Sequence, residues 1–192
     1  MRRRRLVLHL SAALGCALLA LTSAACASSS NSNAAKPTTT PAPANVSFTT
    51  VEGIKQGLAL IQQQLDGPVL IRNAVIYPEY MIVEAENPQA RGTIDSYTVR
   101  NGKITSVSPV RLTGTDKNLQ NLYPAESVNW TVLTELFRAG GAPLNIDAPP
   151  GYLVVEGSDD GTIRALGYVT GPRRSGRWEA DGDGQILDRT ID

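Results

Sequence analysis

Beyond residue 26 the 192-residue chain has no cysteine and no histidine; Cys16, Cys26 and the single His9 all fall in its first 26 positions. A domain built from the remainder cannot use a disulfide, a Cys/His zinc site, a cysteine nucleophile or a Ser-His-Asp triad. Glycine-rich phosphate loops are missing as well, since neither G-x-G-x-x-G nor a Walker sequence occurs. Aromatic residues are sparse, at 5% of the chain. There is no excess of basic charge: 18 basic side chains face 18 acidic ones. Arg2 to Arg5 belong to a leader expected to be removed, which leaves 14 basic against 18 acidic, or about −4. That balance lacks the electrostatic footprint of a nucleic-acid binder. The expectation is a non-catalytic protein with no metal, no cofactor and no nucleic-acid partner.

The first residues are specific about location. MRRRR is a positively charged start, and LVLHLSAALGCALLALTSAA is an apolar run closing on small residues. Positive charge stays in the cytoplasm while the apolar run enters the bilayer. Leu6 to Ala25 is long enough for a retained transmembrane anchor, but His9, Ser11, Thr22 and Ser23 interrupt it and favour a cleaved signal peptide over residues 1–25. Fourteen arginines against four lysines point to a GC-rich, actinobacterial source.

Ser23-Ala24-Ala25-Cys26, followed by ASSSNSN, resembles the lipobox of bacterial lipoproteins, with Ser23 where that family usually has leucine. The resemblance implies cleavage before Cys26, acylation of its thiol and new amino terminus, and attachment to the outer face of the cell membrane. Each buried CH2 of an acyl chain contributes roughly 0.8 kcal/mol, so several chains anchor firmly. The alternative is a secreted protein in which Cys26 merely lies near the cut. Residues 26–46 follow as a disordered tether: Ala27 to Asn45 holds no large apolar residue and is dominated by Ser, Thr, Asn, Ala and Pro.

The folded part shows internal similarity. Tyr80-Met81-Ile82-Val83-Glu84 recurs as Tyr152-Leu153-Val154-Val155-Glu156, and Pro78 pairs with Pro150 at the same shift of 72. Leu58, Ile61 and Leu65 map onto Trp130, Leu133 and Phe137, and Gly92-Thr93-Ile94 onto Gly161-Thr162-Ile163. Val51, Ile54, Leu58, Ile61 and Leu65 form one helical stripe, capped by Thr49 with Glu52 and stopped at Gly67-Pro68. Val128 to Phe137 is a second helix, ended by Gly140-Gly141. Strands are predicted over 69–76, 80–85, 94–100, 103–110, 152–156, 163–170, 177–180 and 185–190, with a tight hairpin at Asn101-Gly102.

These patterns predict an α+β fold of two tandem copies, 47–121 and 122–192, each a helix followed by antiparallel β-strands with the helix packed on the sheet. The element order and duplication resemble the PepSY-like and β-lactamase-inhibitor-like tandem modules of secreted bacterial proteins. That resemblance implies a non-catalytic protein whose sheet face or hairpin tips contact another protein.

Arg173, Arg174 and Arg177 cluster around Gly171-Pro172 and Gly176 with Trp178 adjacent, a basic hairpin suited to docking an acidic partner or anionic headgroups. The plain alternative is a solvated turn, with Trp178 an interface anchor only if exposed. Glu179 to Gly184 spaces acids at loop positions 1, 3 and 5, half of a calcium loop, but position 12 is Thr190, which fits a hairpin turn better. Glu84, Glu86, Glu156 and Asp159 would serve a carboxylate-only hydrolase if two shared a cleft.

The expected function is therefore a membrane-anchored cell-envelope lipoprotein with a protein-binding domain acting as scaffold, inhibitor or assembly factor on an unidentified envelope protein. The alternative is a carrier or sensor of a small apolar or lipid ligand, in a cavity between helix and sheet lined by Ile61, Leu65, Ile82 and Val83.

Overall fold

The structure is a computed structural model that describes residues 46–113, 119 and 121–192. Cys26, the leader and nearly all of the tether lie outside the described residues. The elements run α1 (Val51–Leu65), β1 (Leu70–Ile76), β2 (Tyr80–Glu86), β3 (Ile94–Arg100), β4 (Lys103–Val110), β5 (Tyr123–Pro124), α2 (Trp130–Arg138), β6 (Tyr152–Gly157), β7 (Ile163–Thr170), β8 (Ser175–Asp181) and β9 (Ile186–Ile191). Short 3-10 turns at Ala125–Ser127 and Ala142–Leu144 flank α2.

The chemistry of the helix ends sets where α1 begins and stops. Thr50, in extended conformation, is its N-cap and accepts the N–H of Gly53 at 3.2 Å; Thr49 instead bonds to Ser47. The cap is thus one residue later than the Thr49–Glu52 spacing predicts. Asp66 ends the helix in the left-handed region at φ 52°, one residue before Gly67. Asn129 caps α2 by accepting the N–H of Val132 at 3.3 Å.

All nine strands join one antiparallel sheet in the order β4-β3-β2-β1-β6-β7-β8-β9. β5 pairs with β1 at Leu70 and Ile71, and β6 takes over the same side of β1 from Asn73 to Ile76. The register of β1 against β2 slips between Ile71 and Asn73.

This sheet corrects the expectation of two tandem α+β copies. Among the described residues 41% are strand against 21% helix, so the fold is predominantly β. Five strands follow α1 and four follow α2 in the chain, but β1 pairs directly with β6 and the strands form one layer instead of two modules. The shift of 72 sets β2 against β6, whereas β2 is the second strand after α1 and β6 the first after α2. The stretch answering to β1 holds the 3-10 turn at Ala142–Leu144. The repeated Tyr-x-x-x-Glu pattern reflects strands with one aromatic-to-acidic face, not equivalent positions in a duplicated unit.

Both helices cover the same face of the sheet. Ile54, Leu58, Ile61 and Leu65 of α1 and Trp130, Leu133 and Phe137 of α2 pack with Phe48 on Ile71, Ala74, Ile76, Met81, Val83, Leu153, Val155, Ala165 and Trp178. At roughly 25 cal/mol per Å² of apolar area, this shared burial dominates the stability of the fold. Gly57 lets α1 sit close on β2: a Cβ there would be 2.5 Å from Met81 Sδ.

Candidate functional site: the open face of the sheet

Alternation along each strand gives every residue on the helix side a neighbour on the other side, and no element of the described chain is assigned to that second face. The strand registers sort it into three rows. The first reads Arg100, Tyr80, Tyr77, Tyr152, Tyr168, Arg177, with Tyr77 just past the end of β1. The second reads Thr98, Ile82, Val75, Val154, Leu166, Glu179. The third reads Ser96, Glu84, Asn73, Glu156, Arg164, Asp181.

Four of the six tyrosines thus form a continuous ladder. Tyr77 stacks on Tyr80 at 4.5 Å between ring centroids, Tyr152 on Tyr168 at 4.6 Å, and Tyr77 meets Tyr152 tilted at 5.4 Å. Arg100 closes one end, its guanidinium 4.9 Å from the centroid of Tyr80. Arg177 stands at the other, opposite Tyr168 in register, where Tyr152, Tyr168, Arg177, Thr190 and Asp192 line a cleft of about 270 Å³. Burial, followed by the neighbouring tyrosines, raises the pKa of Tyr80 and Tyr152 above the ordinary phenol value, so both remain neutral donors.

The third row is ionic. Arg72 Nη1 donates to Glu84 Oε2 at 3.0 Å, and Arg164 reaches Glu179 Oε1 at 2.9 Å through Nε and 2.7 Å through Nη2. The hydrogen bond to Glu179 raises the pKa of Arg164. Glu84 and Glu156 flank Asn73 on either side of β1, and with Arg72 and Asn121 they line a cleft of about 110 Å³. Glu86 instead accepts the N–H of Gly92 in the β2–β3 turn, and Asp159 is exposed in the β6–β7 turn.

The basic hairpin separates into three environments. Arg173 and Arg174 are exposed at the β7–β8 turn, where they line a cleft of about 430 Å³ with Asn145, Ile146 and Asp147. Arg177 belongs to the open face. Trp178 points the opposite way and is 1% exposed in the core, so it is no surface anchor. Asp181 stabilises the β8–β9 turn, its Oδ1 accepting the N–H groups of Asp183 and Gln185; among the described residues no three His, Cys, Asp or Glu side chains converge as metal ligands. Ile61, Leu65 and Val83 are packed in the core while Ile82 lies on the opposite face, so these four do not line one cavity.

The ladder escaped the sequence reading. Its signal was a tyrosine at the same end of several strands, which becomes one row only when β1 is known to lie between β2 and β6.

No protein-family model and no curated protein matches the chain. One solved structure shares the fold. It is the crystal structure of a candidate lipoprotein from Clostridium difficile 630, matched over 77% of this chain and 94% of that one, with a TM-score of 0.51 and 9% identity. At that identity the likeness is one of fold.

Proposed function

We propose that this is a cell-envelope lipoprotein, held on the outer face of the membrane by acylated Cys26, whose folded part binds another protein and is not a catalyst. The neighbour's own description as a candidate lipoprotein accords with the lipobox-like residues around Cys26. The observation that carries the binding role is the pair of rows on the open face. Tyr77, Tyr80, Tyr152 and Tyr168 lie beside Val75, Ile82 and Val154, all half-buried, with Leu166 at the end of the row 7% exposed, over roughly 250 Å² of sheet by strand spacing and rise. A stable interface buries about 800 Å² per partner, so this patch has the size of an apolar centre whose rim the arginines and carboxylates supply. Tyrosine and arginine are also the residues that dominate binding energy at such centres.

Two measurements test this reading. Full-length protein labelled with a fatty-acid analogue should carry the label and sediment with membranes, and Cys26→Ser should lose both. In-cell crosslinking should capture a stoichiometric partner that a Tyr152→Ala/Tyr168→Ala variant loses and an Arg173→Glu/Arg174→Glu variant keeps. Capture that survives the tyrosine variant would remove the open face as the contact.

A further inference from the structure

We infer that the tyrosine row receives an extended segment of the partner protein, laid across the strands with a carboxylate near each end. This rests on the open face being the binding surface, and it specifies what binds there.

The charges fix the two ends. Arg100 and Arg177 are both exposed, and neither has an ion-pair partner among the described residues. Lys103 stands opposite Arg100 in register and adds charge at that end. Asp192 lines the cleft beside Arg177, but its Oδ2 accepts from Ser175 Oγ at 3.0 Å. Five strand steps separate Arg100 on β3 from Arg177 on β8, which at about 4.8 Å each is about 24 Å. An extended chain rising about 3.3 Å per residue covers that distance in seven to eight residues.

The rings fix the chemistry between the ends. Because Tyr77 stacks on Tyr80 and Tyr152 on Tyr168, these faces are largely turned towards each other, with interplanar angles of 15° and 12°. A ladder of this kind presents ring edges, which carry the positive side of the aromatic quadrupole, to an incoming group. Phenol hydroxyls and ring edges suit backbone carbonyls and carboxylates, whereas a sugar ring needs an open aromatic face to lie on. The half-buried Ile82, Val75 and Val154 beside the ladder would gain nothing from a hydrated anionic polymer. They bury the side chains of a polypeptide instead.

The test pans a displayed library of random dodecapeptides on immobilised full-length protein, with Arg100→Glu, Arg177→Glu and Tyr152→Ala variants in parallel. Circular dichroism melts confirm that each variant is folded. Expected are selected sequences with acids seven or eight positions apart around an apolar centre. Arg100→Glu should erase selection of one acid and Arg177→Glu that of the other. A synthetic consensus peptide should bind each arginine variant at least tenfold more weakly by fluorescence anisotropy. Peptides without acids that still need Tyr152 would leave the open face as a binding surface and overturn the charged-end reading. So would a sulfated glycan that binds with the same arginine dependence while no peptide is selected. Enrichment indifferent to Tyr152 would overturn the open-face reading itself.

Discussion

Gly167 and Trp178 sit opposite each other on β7 and β8, and the missing side chain of one makes the place of the other. A Cβ on Gly167 would come within 2.0 Å of Trp178 Cε2 and 2.1 Å of Cζ2, pressed onto the face of an indole that is held in the core at 1% exposure. Gly167→Ala should therefore cost about 1–3 kcal/mol, as overpacking of a filled core does, and lower the urea midpoint. An unchanged midpoint would mean that the indole has somewhere else to go. The same pair explains why Trp178 was illegible in the chain. Its neighbours Arg177 and Glu179 are charged, and strand alternation alone leaves open which face meets the helices. The glycine across the ladder decides it, and that partner is eleven residues away through a turn.

Single elements were more readily legible, because their signals are local. The strands Ile94–Arg100, Lys103–Val110 and Ile163–Thr170 fall where β-branched and aromatic runs place them. Asn101 and Gly102 adopt φ of 52° and 67°, the two left-handed positions that an Asn-Gly hairpin supplies. β5 escaped because a two-residue strand has no period to read. The start of α1 was misplaced by one residue because Thr49 and Thr50 are equally good caps in composition; only backbone conformation distinguishes them. Thr50→Ala should destabilise the fold by about 1 kcal/mol by leaving the Gly53 N–H without its acceptor. Thr49→Ala, which loses only a hydrogen bond to Ser47, should stay within about 0.5 kcal/mol. Paired urea titrations separate the two, and equal effects would argue against Thr50 as the cap.

At the scale of the molecule, the decisive contact is β1 with β6, whose paired residues are about eighty positions apart, and nothing in either strand's own pattern announces it. That pairing merges the strands into one sheet, forms the tyrosine row and buries Tyr123 behind it. Tyr123 is 4% exposed and donates its hydroxyl to Val155 O at 2.9 Å. Burial first, and the charge of Glu156 second, raise its pKa well above the ordinary phenol value. Burial also leads the upward shifts of Tyr80, Tyr97 and Tyr152. A phenol whose folded pKa exceeds its unfolded one binds its proton more tightly in the fold. Its stabilising effect is complete below the unfolded value of 10.0 and is lost as pH rises through the folded value. Stability measured by urea unfolding should therefore decline above pH 10, and Tyr123→Phe should flatten that decline by removing the proton. Absorbance at 295 nm should show Tyr123 ionising only as the sheet opens. Ionisation of Tyr123 at the ordinary value with the circular dichroism of the sheet intact would show that water reaches the hydroxyl, and that the junction between the two halves of the sheet is looser than its hydrogen bonds imply.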